Sequence, residues 1–266
     1  MLMTLSFACQ SSESQSAKAR GKKDAFVLEP SVAEEEQGYS IWFKQYQKGV
    51  DFYAMGSEPD WTLSMDFEKI YRFHTLAEMG EMNIPPVEPA RVQDAPILRY
   101  RAEVEAGEMI IRLSEEPCTN PMSGEVFPYL VTVDIKRGTD ADFTTFKGCG
   151  RYVPDFRLTD IWVLESLYGN PVEAEDFQKG LPRIELNMEE RNLLGHDGCN
   201  SLRGSLEAGA GIWRVGPLMG TLMACPEMEA PDRVRRSIEA SSYEIANNRL
   251  TLRKGPSITS VWRKTD

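Results

Sequence analysis

Five cysteines and two histidines have the widest chemical reach in this 266-residue chain. The cysteines are Cys9, Cys118, Cys149, Cys199 and Cys225. A thiolate attacks carbon or sulfur only where nearby cations or a helix N-terminus lower its pKa. Cys199 has one candidate base, His196, in the stretch Gly195-His196-Asp197-Gly198-Cys199-Asn200-Ser201-Leu202-Arg203-Gly204. That pair defines one chemical reading, a thiol-dependent enzyme or redox protein. The competing reading removes the thiol. With Cys9 set aside, four cysteines remain, and four allow three pairings. Cys118 with Cys149 and Cys199 with Cys225 is the simplest, because each pair then lies within one apparent domain. The partners are 31 and 26 residues apart. In the chain-entropy model, loops of that size contribute about 3–4 kcal/mol each when closed. Such bonds persist outside a reducing cytosol. Four thiolates on zinc would call for C-x-x-C pairs, which the sequence lacks.

Other clusters offer less. Two histidines, His74 and His196, cannot build a His-rich metal site. Glu34-Glu35-Glu36 and Glu115-Glu116 are runs of carboxylates, and neighbours on a strand point to opposite faces. Met219, Met223 and Met228 could give a soft, copper-handling surface, though methionine more often fills core gaps. There is no P-loop, dinucleotide fingerprint, EF-hand loop or Gly-x-Ser-x-Gly elbow. The expectation is a non-enzyme with no cofactor and no metal.

The elements that must position these residues are mostly strands. Hydrophobic residues make up 41% and charged residues 27%, a globular balance. The net charge of −11 argues against a phosphate-backbone partner and against electrostatic docking on anionic lipid. Nucleic acid is excluded on that ground. No apolar run reaches the ~20 residues of a membrane-spanning helix. Residues 1–9, ending Phe7-Ala8-Cys9, read as the remnant of a lipoprotein signal with Cys9 as the lipidation site, and residues 10–38 as a flexible tether.

Short alternating runs follow. Strands are expected at Val50–Gly56, Asp60–Asp66, Lys69–His74, Pro96–Val104, Glu108–Leu113 and Pro128–Ile135. The run Ile84-Pro85-Pro86-Val87-Glu88-Pro89 cannot lie inside a sheet. Asp155–Thr159 reads as a linker. Beyond it, strands are expected at Asp160–Leu164, Arg183–Asn187, Asn192–His196, Ser201–Leu206, Ile212–Val215, Ser242–Ala246, Arg249–Lys254 and Ile258–Trp262. One helix is expected over Pro226–Ala240, with Val234 and Ile238 on one face. Asn247-Asn248 suits a two-residue hairpin turn. The fold class is mainly β with few helices (α+β): two antiparallel, barrel-like domains in tandem, 39–154 and 155–266, the second carrying one helix.

Two resemblances sharpen this. Trp162-Val163-Leu164, Gly198-Cys199-Asn200 with Gly204, Thr221-Leu222-Met223-Ala224-Cys225 and Leu250-Thr251-Leu252 together resemble the META (HslJ-like) domain over about residues 160–263. Leu222 stands where that family commonly has an arginine, and Leu206 where it often has an aromatic. The resemblance implies a small β-rich domain, usually in an exported envelope protein, without an established catalytic activity. In the first half, Gly56-Ser57-Glu58-Pro59-Asp60-Trp61 is similar to the Gly-x-Glu-Pro-x-Trp signature of small bacterial lipoproteins, with Asp60 replacing the usual aromatic. The later cysteine motifs around Cys118 and Cys149 extend that likeness over about residues 50–150.

Glu58, Trp61 and Asn200 are the candidate ligand contacts, against the plainer roles of turn residue for Glu58 and core anchor for Trp61. The functional expectation is an envelope lipoprotein facing the periplasm, on the outer membrane, acting as a binding or structural module. Its partners would be the membrane, through the lipid anchor, and an envelope protein or small ligand. The alternatives are the thiol chemistry of Cys199 with His196, and a soft-metal or small-ligand binder.

Overall fold

Ser40 caps the first described helix: its Oγ accepts from the amide of Phe43 at 3.2 Å. The computed structural model describes residues 40–265 except 79, 93, 94, 139 and 227. Cys9, the tether and Glu34–Glu36 lie outside the described residues. The capped helix, α1 (Ile41–Gln47), went unforeseen in the sequence. It buries Trp42.

The first half alternates as expected. β1 (Phe52–Ser57), β2 (Asp60–Asp66), β3 (Ile70–Thr75), β4 (Glu81–Ile84), β5 (Ala90–Arg91), β6 (Ile97–Val104) and β7 (Gly107–Ser114) come first. β8 (Cys118–Thr119) and β9 (Val126–Phe127) pair only with each other. β10 (Tyr129–Arg137) and β11 (Thr144–Tyr152) complete one antiparallel sheet in the order β4-β3-β2-β1-β11-β10-β7-β6-β5. Trp61, Leu63 and Met65 of β2 do share a buried face. The sheet curls until Tyr71 of β3 meets Tyr100 of β6, ring centroids 5.8 Å apart. It is a half-barrel whose end strands, β4 and β5, each pair on one side alone among the described residues.

β11 was missed because Thr144-Thr145-Phe146-Lys147-Gly148-Cys149-Gly150 has a weak strand signature. Its glycines are demanded by packing. A side chain at Gly148 would overlap the backbone of Met55 and the indole of Trp61, and one at Gly150 would strike Phe52 and Ala54. Gly56 lies directly across the β1–β2 hairpin from Trp61, and its missing side chain leaves room for the indole. The Gly-x-Glu-Pro-x-Trp spacing is therefore a packing unit, one glycine and one tryptophan facing each other around a turn.

The second half closes. β12 (Asp160–Leu167), β13 (Asn170–Pro171), β14 (Arg183–Asn187), β15 (Asn192–His196), β16 (Ser201–Gly209), β17 (Ile212–Val215), β18 (Met219–Gly220), β19 (Ser242–Ala246), β20 (Arg249–Lys254) and β21 (Ser257–Lys264) are its strands. Their order β12-β14-β15-β16-β17-β19-β20-β21 returns to β12 through the β12–β21 pairing, an eight-stranded barrel. Trp162, Trp213 and Trp262 fill it, each 0% exposed. Their indole N–H groups donate to Leu158 O, Ile238 O and Ser260 Oγ at 2.8–2.9 Å, so burial leaves no unpaired donor.

The helix α2 (Glu229–Ile238) is shorter than the expected Pro226–Ala240. Val234 and Ile238 are fully buried on one face, as their spacing requires. Asn247 and Asn248 both take positive φ, 51° and 58°, making the tight turn between β19 and β20.

The supposed linker at 155–159 is not one. Phe156–Leu158 form a single 3-10 turn. Asp155 is buried, accepts from Arg157 and from the Tyr243 hydroxyl at 2.8 Å, and donates its own amide to Ala208 O. Phe156 packs edge-on against Phe43 of α1 at 4.9 Å.

The two halves meet around Arg151. Its guanidinium lies over the rings of Trp42 (5.2 Å) and Phe127 (4.7 Å) and reaches Glu125 at 3.2 Å and Glu207 at 3.6 Å. Arg191 of the second half shares both carboxylates. Burial presses the Arg151 pKa downward, with Glu207 and Glu125 resisting.

Candidate functional site

Cys118–Cys149 and Cys199–Cys225 are disulfide-bonded, the pairing the sequence favoured. Cys199 is 0% exposed and bonded, so it carries no thiolate for His196 to activate. The Cys199–His196 nucleophile is thereby corrected to a structural crosslink.

The glycine-rich stretch around it is a clamp. The carboxylate of Asp197 accepts from the amides of Cys199 (2.9 Å) and Asn200 (2.6 Å), which fixes the turn leading into β16. Gly198 takes φ +93°, and a side chain there would collide with Phe177. Asn200 is 2% exposed. Its Oδ1 accepts from Thr221 Oγ1 (2.9 Å) and from the amide of Met223 (2.7 Å). Thr221 Oγ1 in turn accepts from the amide of Ser201. Asn200 thus holds the loop after β18 by two contacts, while its Nδ2 donates to Cys199 Sγ at 3.3 Å, and it does not itself face solvent.

That loop displays apolar side chains. Leu222 is 94% exposed, Met219 55% and Met223 45%. Met219, Met223 and Met228 are therefore not core fillers, the role their irregular spacing suggested; a pinned loop presents the first two outward. Met228 instead accepts from the amide of Cys225 through sulfur at 3.4 Å.

Beside the loop the barrel's outer face carries two clefts, ≈310 Å³ and ≈490 Å³, which share Leu194, Gly195 and Ser201 and so form one trough. Strand register sets its lining. Ile161, Glu185, Leu194, Arg203 and Met219 stand side by side across β12, β14, β15, β16 and β18. Val163, Arg183, His196 and Ser201 make the adjacent row. Lys179 closes one end, its Nζ 3.7 Å from Met223 Sδ.

Among the described residues, Lys179, Arg183 and Arg203 make no ion pair. Three cations thus line the trough with one carboxylate, Glu185, on a chain of net charge −11. The His196 imidazole is held below its ordinary pKa by burial, then by Arg183 and Lys179. Its Nδ1 accepts from the amide of Gly198 at 3.2 Å, which assigns the neutral ring's proton to Nε2.

The other candidates sit elsewhere. Trp61 is 2% exposed in the first core, its Nε1 donating to Lys147 O at 3.2 Å. Glu58 lies in the β1–β2 turn and lines a separate cleft with Asn120 and Lys147. The structure does not bring Glu58, Trp61 and Asn200 together. Sequence reasoning missed Arg183, Lys179 and Arg203, whose signal was cations alternating with apolar residues on the outward positions of neighbouring strands. Among the described residues, no group of three or more His, Cys, Asp or Glu could hold a metal ion, and no helix is long and apolar enough to cross a membrane.

Residues 156–265 match the family model of the META domain. The motifs from Trp162 to Leu252 lie within that match. A solved structure described as "NMR structure of the protein" is 22% identical, covering 40% of this chain and 90% of its own, with a TM-score of 0.34. No curated protein matches the chain. The META match and the two disulfides are compatible with an extracytoplasmic, envelope-type module.

Proposed function

We propose that the chain is a non-enzymatic lipoprotein of the bacterial cell envelope, facing the periplasm from the outer membrane, in which the META half is the binding module. Cys9 carries the lipid, and residues 10–38 form the tether between membrane and folded body. The observation that carries this reading is the use of the sulfurs. Each half carries its own internal disulfide, which fits an oxidising compartment and leaves Cys9 as the fifth cysteine. The pinned loop and its trough support binding as the task of the second half, since exposed apolar groups beside unpaired cations mark interaction surfaces more often than catalytic ones.

Mass spectrometry of the protein from membrane fractions tests the anchor. The expected N-terminal peptide begins at Cys9 and carries acyl chains. A Cys9 with a free thiol and residues 1–8 still attached would refute it. Iodoacetamide applied to the native, unreduced protein tests the rest: Cys199 stays unmodified until a reductant is added. Rapid labelling of Cys199 would return thiol chemistry to first place.

A further inference from the structure

We infer that the trough across β14, β15 and β16 binds an extended polypeptide segment in which carboxylate side chains alternate with apolar ones. The inference rests on reading this face as the working surface of the binding module. Charge is the first argument. Arg183, Arg203 and Lys179 lack carboxylate partners among the described residues, although Asp and Glu outnumber Lys and Arg by 41 to 30 along the chain. A surface that keeps three cations free of so many available anions is complementary to an anion from outside.

Lining order is the second argument. Across the strands the sequence is Ile161, Glu185, Leu194, Arg203, Met219, with Arg183 and His196 in the next row. Neighbouring strands lie ~4.8 Å apart, so the row from Ile161 to Met219 spans roughly 19 Å, the reach of about six extended residues. Leu194 is 46% exposed between the two arginines. An occupant with one apolar side chain flanked by carboxylates would seat the first on Leu194 and pair the others with Arg183 and Arg203.

Concavity decides against a bilayer. Half-buried His196 lies recessed in the trough with exposed Arg183 along its lining, whereas Leu222 stands at 94% exposure on the loop beside it. A flat anionic surface would touch the loop and leave the floor unused; a chain one strand wide can lie along it. His196 adds a reporter. An anion settling beside the ring offsets Arg183 and Lys179, so occupation raises the His196 pKa.

The test uses the full chain and a fluorescein-labelled eight-residue peptide alternating glutamate and leucine, followed by fluorescence anisotropy. A lysine–leucine peptide and phosphatidylglycerol vesicles are run in parallel. Saturable binding of the glutamate–leucine peptide is expected, at least tenfold tighter than the lysine–leucine peptide. Arg183→Gln with Arg203→Gln should weaken it by tenfold or more. Both arginines line the barrel's outer face, and far-ultraviolet circular dichroism checks that the variant keeps its fold. On the unaltered protein, NMR titration should show the His196 pKa rising with peptide while His74, in the other half, serves as control. Equal binding of both peptides, indifference to the arginine substitutions or an unmoved His196 would overturn the inference. So would vesicle binding that excess peptide does not displace, which would assign the surface to lipid. The Cys9 acyl group is read separately by mass spectrometry, so failure of the anchor and failure of the peptide site are distinguishable.

Discussion

The two halves solve the same problem, how to end a sheet, in opposite ways. The second half joins β12 to β21 and has no open end in its ring; its tryptophan N–H groups all find acceptors within the same half. The first half leaves β4 and β5 as edges. It protects them with shortness and with the prolines after Ile84, both standard defences of an exposed edge. It also borrows from its neighbour. Arg214 of β17 bonds the Tyr129 hydroxyl and pairs with Glu115 at 3.0 Å, and Glu207 of β16 helps balance buried Arg151. The half that closes itself needs nothing from the first to complete its ring; the open half depends on contacts from outside its sheet.

Separation is the strongest way to break that comparison. Residues 155–265 expressed alone should unfold cooperatively on heating, monitored by circular dichroism. Residues 40–154 alone should show no cooperative transition, because Arg151 loses Glu207, Tyr129 and Glu115 lose Arg214, and Phe43 and Tyr46 lose Phe156. Cooperative melting of the isolated first half would abolish the proposed dependence.

Next in size is the Arg151 network. Glu125→Gln with Glu207→Gln leaves a buried guanidinium without a carboxylate and should cost about 3–5 kcal/mol in urea denaturation. Adding Arg151→Met should recover most of the loss, since the cation and its desolvation penalty go together. If the third substitution recovers nothing, the cost came from packing.

The disulfides should rank third. Replacing Cys199 and Cys225 with alanine should cost about 2–4 kcal/mol in the chain-entropy picture. The comparison sharpens here: the closed barrel should keep its circular dichroism spectrum while amide exchange accelerates in the Leu222 loop. A smaller effect is expected at the β19–β20 turn. Asn248→Ala should cost about 1 kcal/mol, because alanine tolerates positive φ poorly, and Asn248→Gly should be nearly neutral.

The smallest effect is pH dependence at His196. Its pKa in the folded state lies below the ordinary value near 6.5, so the unfolded chain takes the proton first. Stability therefore falls as pH drops below about 6.5 toward the folded-state pKa. His196→Gln should flatten that slope in melting temperature measured between pH 7 and pH 5.

Much of this architecture was legible because it is written in local pattern. Trp61, Leu63 and Met65 alternate, Val234 and Ile238 sit one helical turn apart, and Asn247-Asn248 favour positive φ; each of these is a short-range signal. The disulfides followed from domain membership. What stayed hidden depends on distant partners. β11 looks unlike a strand until Trp61 and Phe52 explain its glycines. The network of Glu125, Arg151, Arg191 and Glu207 draws on residues from both halves. The trough is equally non-local, since Arg183, Leu194 and Arg203 align only after strand register is known. Two misreadings came from neglecting the same dependence. Asp155 seemed a linker residue because its partner Tyr243 lies far along the chain, and the late methionines seemed core material because nothing nearby marks the loop as pinned outward. Ser40 as a cap, followed by Trp42 and Tyr46 four residues apart, is the local signal that marks α1.

The Leu222 loop has a practical corollary for variation and for engineering. Position 222 is flanked by Thr221 and Met223, both held by Asn200, with the Cys225 disulfide beyond, while its own side chain stands almost wholly in solvent. Changes at that tip alter what the barrel advertises without disturbing the scaffold beneath. The same independence makes it a natural attachment point for a spin label or dye, where occupancy of the neighbouring trough could be watched in real time.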